Sequence, residues 1–220
     1  MGQWEYDVAH VLGGAMLLCS FLLLSQRRLG SIIGLLAAQG VLLAAAAAWQ
    51  GHAQGSPHLY ASAAIALVAK GIAIPWALLR AMRRIGDAPA ADTPLGPLPS
   101  LLAGGALLAL AILVALPVST GSRVLTREDL AIALAIMLLG MLMMCTRRHA
   151  LAQAAGLLSM ENALILAAVG AAGMPLVVEL SAAGLVLVVA ALAGLFGARM
   201  REHVASLDIT VLDAHRGDRR

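Results

Sequence analysis

The chain has 220 residues, of which 61% are hydrophobic and only 12% are charged, and its mean hydropathy is +0.89. A soluble domain carries about twice that share of charged residues, because its surface must be polar. The composition therefore excludes a soluble enzyme, a secreted disulfide scaffold and a disordered chain, and it predicts an all-α integral membrane protein.

Several other classes of site are not supported by the sequence. The net charge of +3 does not indicate nucleic-acid binding, because the arginines stand in pairs at the ends of apolar runs. Cys19 and Cys145 lie inside apolar runs without Cys-x-x-Cys spacing, and no two histidines stand four residues apart within a span. We therefore expect no disulfide framework, no metal site and no catalytic centre in this chain.

Seven apolar stretches approach the roughly 20 residues that a helix needs to cross a bilayer. They predict one transmembrane domain over residues 1–201, followed by a tail over 202–220. The predicted spans are 8–25, 30–49, 59–79, 98–117, 129–146, 150–172 and 175–198. Polar turns that contain Gly or Pro are expected over 50–58, 86–97 and 118–128.

The arginines predict the orientation of these spans. Twelve of the fourteen follow the first, third, fifth or seventh span, and only Arg123 and Arg127 fall on the opposite side. Cytoplasmic loops of membrane proteins carry an excess of Lys and Arg. We therefore expect a periplasmic N-terminus and a cytoplasmic C-terminus in the inner membrane of a bacterium.

Three ionisable side chains remain inside the predicted spans, those of Lys70, Glu161 and Glu179. Each costs at least about 2.5–3.5 kcal/mol at the centre of a membrane helix, and such residues often mark ion or proton paths. Lys70 and Glu161 both lie near mid-membrane, whereas Glu179 is closer to the outer surface. We expect Lys70 and Glu161 to stabilise each other's charge and to hold or transfer a proton, unless they form a buried pair that only fixes the helix register.

Four polar or helix-bending residues could support such a relay. Pro75 lacks a backbone N–H and should kink the third span, which would free a carbonyl near the lysine. Asn162 directly follows Glu161, and Gln153 and Gln39 are further polar positions that could hold water. Asparagine and glutamine in spans also serve as hydrogen-bonding contacts between helices, so both interpretations stay open.

Small residues are expected at the helix contacts, because lipid tails give no hydrophobic drive for helices to associate. The 22 glycines and the alanine-rich runs meet this need. Gly30 and Gly34 have small-xxx-small spacing, which predicts a close helix contact within the chain or, as the alternative, a dimer contact.

Two regions of the chain resemble the membrane subunit called hydrogenase-4 component E. The first contains an intramembrane Lys–Pro segment, Ala69–Pro75. The second contains Arg147–Leu151, Gly156–Asn162, Pro175–Leu180 and Ser206–Thr210. The resemblance covers nearly the whole chain, and the last three spans, about 129–201, are also similar to the NuoK-type subunit of respiratory complex I.

The resemblance implies a membrane-arm subunit of a group 4 nickel–iron hydrogenase or formate hydrogenlyase complex. Such a subunit lies beside antiporter-like membrane subunits and a cytoplasmic hydrogenase-type module, whose nickel–iron and iron–sulfur centres belong to the partners. In NuoK-type subunits two adjacent helices each carry a glutamate that takes part in proton transfer, and by motif Glu161 and Glu179 take these places. The chain departs from the family near Leu185, where an acidic residue is expected, so its proton path would be shortened, rerouted or completed by a partner.

The sequence is also compatible with two other functions, a structural interface subunit and a stand-alone transporter. A structural interface subunit would contain Lys70 and Glu161 without using them for proton transfer. A stand-alone transporter would usually show paired halves, of which the sequence has no convincing sign.

In the tail, Val204–Leu212 contains five Val, Leu or Ile residues among nine. We expect this apolar strip to dock on a neighbouring subunit, with a frayed terminus as the alternative.

Overall fold

The structure, a computed structural model, describes residues 3–85, 96–118 and 124–170, and its elements are all helices. The prediction of an all-α protein is confirmed for this part of the chain. In chain order the elements are α1 (Gln3–Ser25), α2 (Leu29–Gln54), α3 (Pro57–Ala66), a π-helical segment (Leu67–Ala73), α4 (Ile74–Ile85), α5 (Pro97–Val118), α6 (Val124–Thr146) and α7 (Ala150–Gly170).

Among the described residues, five helical stretches are long and apolar enough to cross a membrane, which supports a multi-pass membrane protein. They are Asp7–Ser25, Leu29–Gln54, Pro57–Arg83, Pro97–Ala115 and Ala150–Val169. Leu130–Thr146 is a sixth apolar helix, although it is shorter. The predicted span 175–198, with Glu179 and Leu185, and the tail 202–220 lie outside the described residues.

The turn predicted over 50–58 is shorter in the structure, because α2 continues to Gln54. Gly55 then ends the helix with a positive φ of 63°, a left-handed conformation that glycine adopts without steric cost. Pro57 begins α3 at the first helical position, where its missing N–H leaves no hydrogen bond unmade.

Two helices organise the bundle. The α2 helix packs against α1, α3, the π segment, α4 and α7, while α6 packs against α1, α5 and α7. At the crossing of α6 and α7, a Cβ on Gly140 would lie 2.8 Å from the carbonyl oxygen of Gly156, and the reverse distance is also 2.8 Å. Only glycine fits at both positions, since real Cβ atoms do not approach oxygen so closely.

Among the described residues, the prediction of a close intrachain contact at Gly30 and Gly34 is wrong. A Cβ at either position would meet no atom of another described element within 4 Å. The close approach made by α2 is instead at Gly40, where a Cβ would lie 2.6 Å from the carbonyl carbon and oxygen of Lys70. Spacing alone did not distinguish these positions, because it does not show which face of α2 meets a neighbour.

Candidate functional site

The structure brings Lys70 and Glu161 together inside the bundle. The Lys70 ammonium nitrogen lies 3.0 Å from Oε2 of Glu161, and the two side chains are 5% and 11% exposed. The same ammonium donates a hydrogen bond of 2.9 Å to Oδ1 of Asn162. A buried charge is tolerated when it has both a counter-charge and a hydrogen-bond partner, and Lys70 has both.

Hydrogen bonds continue from Asn162 across the bundle to α1. Nδ2 of Asn162 donates to Oε1 of Gln39 at 3.2 Å, and Nε2 of Gln39 donates to Oγ of Ser20 at 2.8 Å. Ser20 in turn donates to the backbone carbonyl of Met16 at 3.0 Å. We call Ser20, Gln39, Lys70, Glu161 and Asn162 the polar layer, because they join α1, α2, the π segment and α7 at one level.

Apolar side chains enclose the polar layer from above and below. One buried cluster contains Leu23, Leu36, Ile74 and Leu158, and the other contains Met16, Leu43, Ala63 and Ala163. Along each helix the polar residue falls between members of these two clusters, so water has little access from either side. Electrostatic interactions are stronger in such surroundings, and an unpaired polar group is more costly.

Glu161 differs from the rest of the layer because it lies at the edge of the bundle. Apart from Lys70, neither of its carboxylate oxygens has a hydrogen-bond partner in the described part of the chain. Leu157 and Leu164 flank it on the same face of α7, one turn away on each side, and they are 40% and 57% exposed. The carboxylate oxygens themselves are buried, but they lie next to an exposed face of α7.

The π-helical segment and Gly40 together place Lys70. Because Gly40 has no side chain, α2 lies directly against the backbone of Lys70, and the neighbouring residue Gln39 is thereby held within reach of Asn162. A π-helical segment has one extra residue per turn and is found frequently at functional sites. Here it changes the direction in which Lys70 leaves the helix.

A π-helical segment, which the sequence did not predict, precedes Pro75 in the third span. A proline at position 75 cannot donate to the carbonyl four residues earlier, and the π segment ends two residues before it. The backbone N–H of Ile74 bonds the carbonyl of Ala69, five residues earlier, as in a π-helix. In the described part of the chain, the Lys70 ammonium contacts Glu161 and Asn162 and no freed carbonyl.

Gln153 does not belong to the polar layer. Its Nε2 donates to the backbone carbonyl of Arg147 at 2.8 Å, at the turn between α6 and α7. Arg147 itself is only 3% exposed, and its Nη2 donates to the carbonyls of Leu23 and Leu24 at 3.2 and 2.7 Å. Burial, and after it the charge of Arg27, lower the pKa of Arg147. Arg147 therefore ties the end of α1 to this turn, although the sequence suggested only a loop charge.

Ser20, Gly40 and the inward position of Arg147 were not found from the sequence. A serine or glycine in an apolar helix is too common to signal a site, and an arginine after a span normally faces the cytoplasm. Within residues 3–85, 96–118 and 124–170, no three His, Cys, Asp or Glu side chains are grouped closely enough to hold a metal ion.

Comparisons with known proteins give one clear relative. The chain is 33% identical over 201 residues to "Uncharacterized protein Rv0085" of Mycobacterium tuberculosis, and the match covers 90% of this chain and 91% of the relative. No family model and no solved structure matches the chain. The identity extends over nearly the full length of both proteins, and the chain therefore belongs to the same family as Rv0085.

Proposed function

We propose that this chain is a membrane subunit of a complex I-related assembly, of the group 4 nickel–iron hydrogenase or formate hydrogenlyase type. It contributes to proton or ion translocation, while the redox chemistry takes place at the nickel–iron and iron–sulfur centres of partner subunits. The observation that carries the proposal is the buried pair of Lys70 and Glu161, with 3.0 Å between Nζ and Oε2. The resemblance of the surrounding motifs to hydrogenase-4 component E supports this choice of assembly.

The pair has the chemistry of a relay because it shares one proton between two sites. Moving that proton from the Lys70 ammonium to the Glu161 carboxylate converts an ion pair into a neutral amine and a neutral carboxylic acid. Burial disfavours the charged form, whereas mutual attraction favours it, so the two forms lie closer in free energy than they would in water. A charge or a water molecule arriving beside Glu161 then shifts the proton.

The proposed topology has seven spans, a periplasmic N-terminus and a cytoplasmic C-terminus in the inner membrane. The arginine distribution supports it, together with the apolar helices of the described residues. Reporter fusions at Gly55 and Ala91 test the orientation. A reporter active only in the periplasm should work at Gly55 and fail at Ala91, and the opposite pattern would reverse the topology.

Glu161→Gln tests the relay in the assembled complex. The substitution removes the proton-binding site and keeps the size of the side chain, so we expect proton translocation in membrane vesicles to fall while electron transfer by the partner subunits continues. Asp7→Asn is the matched control, since Asp7 is an exposed carboxylate at the start of an apolar stretch. Glu179→Gln should have a smaller effect than Glu161→Gln, because Lys70 is the partner of Glu161. Unchanged translocation in Glu161→Gln would contradict the relay.

The proposed assembly is tested separately from the relay. A tagged chain purified in mild detergent should bring down antiporter-like membrane subunits and a hydrogenase-type module. Deletion of residues 204–220 should leave membrane insertion intact and weaken this association, because the tail contains the apolar strip Val204–Leu212. Purification of the tagged chain alone would instead favour a stand-alone transporter.

A structural interface subunit is the second candidate, and the hydrogen bonding of the polar layer favours it. Asn162 donates directly to Gln39, as expected of residues that fix the register of helices. A double variant, Lys70→Met with Glu161→Met, distinguishes the two functions. Normal proton coupling in that variant would establish the structural role.

A further inference from the structure

All hydrogen bonds that lead from Lys70 into the polar layer run in one direction. The Lys70 ammonium donates to Asn162, Asn162 donates to Gln39, and Gln39 donates to Ser20. Ser20 closes the series by donating to the carbonyl of Met16, which belongs to the same helix. Each residue between the two ends therefore accepts on its Lys70 side and donates on its α1 side.

The charged ammonium, which can only donate, requires this direction, and the α1 end fixes it independently of the charge on Lys70. A serine hydroxyl has a single proton, and in Ser20 it is used by the carbonyl of Met16 four residues earlier. Ser20 can therefore only accept from Gln39, which must turn its NH2 group towards α1 and its oxygen towards Asn162. Asn162 is oriented by the same rule, so its oxygen faces Lys70.

We infer that Gln39 is a positioning residue that acts through Asn162, keeping a carbonyl oxygen against Lys70 and holding the Lys70–Glu161 pair in its charged form. Aligned amide dipoles strengthen one another, and here each has its negative end towards the ammonium. Without Gln39, the Asn162 oxygen is held only by the ammonium itself, and the amide can turn its NH2 group to Lys70 once Lys70 is a neutral amine, which accepts a hydrogen bond. In that form one N–H bond of the ammonium has broken and one O–H bond has formed on Glu161, which leaves a neutral amine and a neutral carboxylic acid.

Infrared spectroscopy of the purified full-length chain in lipid vesicles tests this inference. The observable is the C=O band of a protonated carboxyl group, which is assigned to Glu161 by its loss when Glu161→Gln is added. At neutral pH we expect no such band in the unsubstituted protein and a clear band in Gln39→Met, which has a similar volume and no polar atom at the end of the side chain.

Ser20 provides a milder and matched pair of variants. Ser20→Ala removes the group that orients Gln39 and should produce the same band. Ser20→Thr should restore the original spectrum, because threonine can also donate to the carbonyl four residues earlier. Ser159→Ala is the control, since the Ser159 hydroxyl is buried without a partner in the described part of the chain. If Gln39→Met does not fold, the Ser20 variants decide.

Two results would overturn the inference. The first is that Gln39→Met and Ser20→Ala both give the spectrum of the unsubstituted protein. The second is that the unsubstituted protein already shows the band of a protonated Glu161. The inference uses the proposed relay only to give the charged pair a role. Because the spectra are recorded on this chain alone, failure to find hydrogenase-type partners would reject the proposed assembly and leave the spectroscopic result intact.

Discussion

In the described part of the chain, two cations are buried in different ways, one in the polar layer and one where α6 meets α7. Lys70 lies 3.0 Å from a carboxylate and also bonds an amide oxygen. Arg147 donates to the backbone carbonyls of Leu23 and Leu24, and its Nε and Nη1 are buried without a partner in the described part of the chain. We call Arg147 and these two carbonyls the arginine anchor.

The two sites differ in whether their charge can be removed. A lysine paired with a glutamate can lose its proton to its partner, so the polar layer has two protonation forms. An arginine stays protonated in proteins, so the arginine anchor has one form. The last carbonyls of α1 have no donors within their own helix, and a cation near a helix C-terminus stabilises them. The polar layer is thus suited to proton transfer and the arginine anchor to holding helices together.

Lys70→Met should give the largest loss of stability. The substitution leaves Glu161 buried without its counter-charge, which typically costs roughly 3–5 kcal/mol. We expect a corresponding fall in the free energy of unfolding, measured by denaturation in detergent micelles. The double variant with Glu161→Met should recover much of the loss, because no charge then remains in the layer. A double variant as unstable as Lys70→Met would show that packing, and not the stranded charge, is responsible.

Arg147→Met should be less destabilising than Lys70→Met. It removes two charge-assisted hydrogen bonds to the end of α1, with a loss of roughly 1.5–3 kcal/mol, and it removes no partner of a carboxylate. Arg148→Met is the control, since Arg148 is exposed and its replacement should change stability by less than about 0.5 kcal/mol. Equal losses in both variants would show that the arginine anchor contributes nothing specific.

The pH dependence of stability should show whether Arg147 keeps its charge in the folded protein. Burial and the charge of Arg27 lower the pKa of Arg147 in the folded protein. A cation whose folded pKa is lowered makes stability rise with pH only above that folded pKa. Between about pH 5 and 9 arginine stays charged in both states, so the stability difference between Arg147→Met and the unsubstituted protein should be constant. A slope in this window, measured in the same micelles, would show that Arg147 titrates.

Gly40→Ala should disturb the polar layer through the backbone alone. Its Cβ would lie 2.6 Å from the Lys70 carbonyl, and overpacking of this kind costs roughly 1–3 kcal/mol. Gly34→Ala, on the same helix, is the matched control, because a Cβ there meets no atom of another described element within 4 Å. Alanine is the better helix former, so this control should be neutral or slightly stabilising. Equal losses of stability in Gly40→Ala and Gly34→Ala would show that the close contact at Gly40 is not the cause.

The sequence was sufficient to predict the apolar helices of the described residues and the main charged pair. Long apolar runs have one physical solution in a bilayer, and equal depth in two spans already suggested that Lys70 and Glu161 meet. The order of hydrogen bonds through Gln39 to Ser20 could not be predicted, because it depends on which sides of the helices are in contact. That in turn depends on the glycine contacts and on the π-helical segment, whose position no spacing in the sequence indicates.

Gln153→Met should have a smaller effect than Arg147→Met and shows how far the arginine anchor extends. Gln153 donates to the backbone carbonyl of Arg147 at 2.8 Å, so its loss should cost roughly 0.5–1.5 kcal/mol. At the other end of α7, Gln54 donates to the carbonyl of Val169 over a longer distance of 3.4 Å, and Gln54→Met should cost less. If Gln153 holds the turn in place, combining Gln153→Met with Arg147→Met should cost less than the sum of the two, because both act on one contact. Additive losses would mean that the turn keeps its position without Arg147 and that the two residues stabilise the bundle independently.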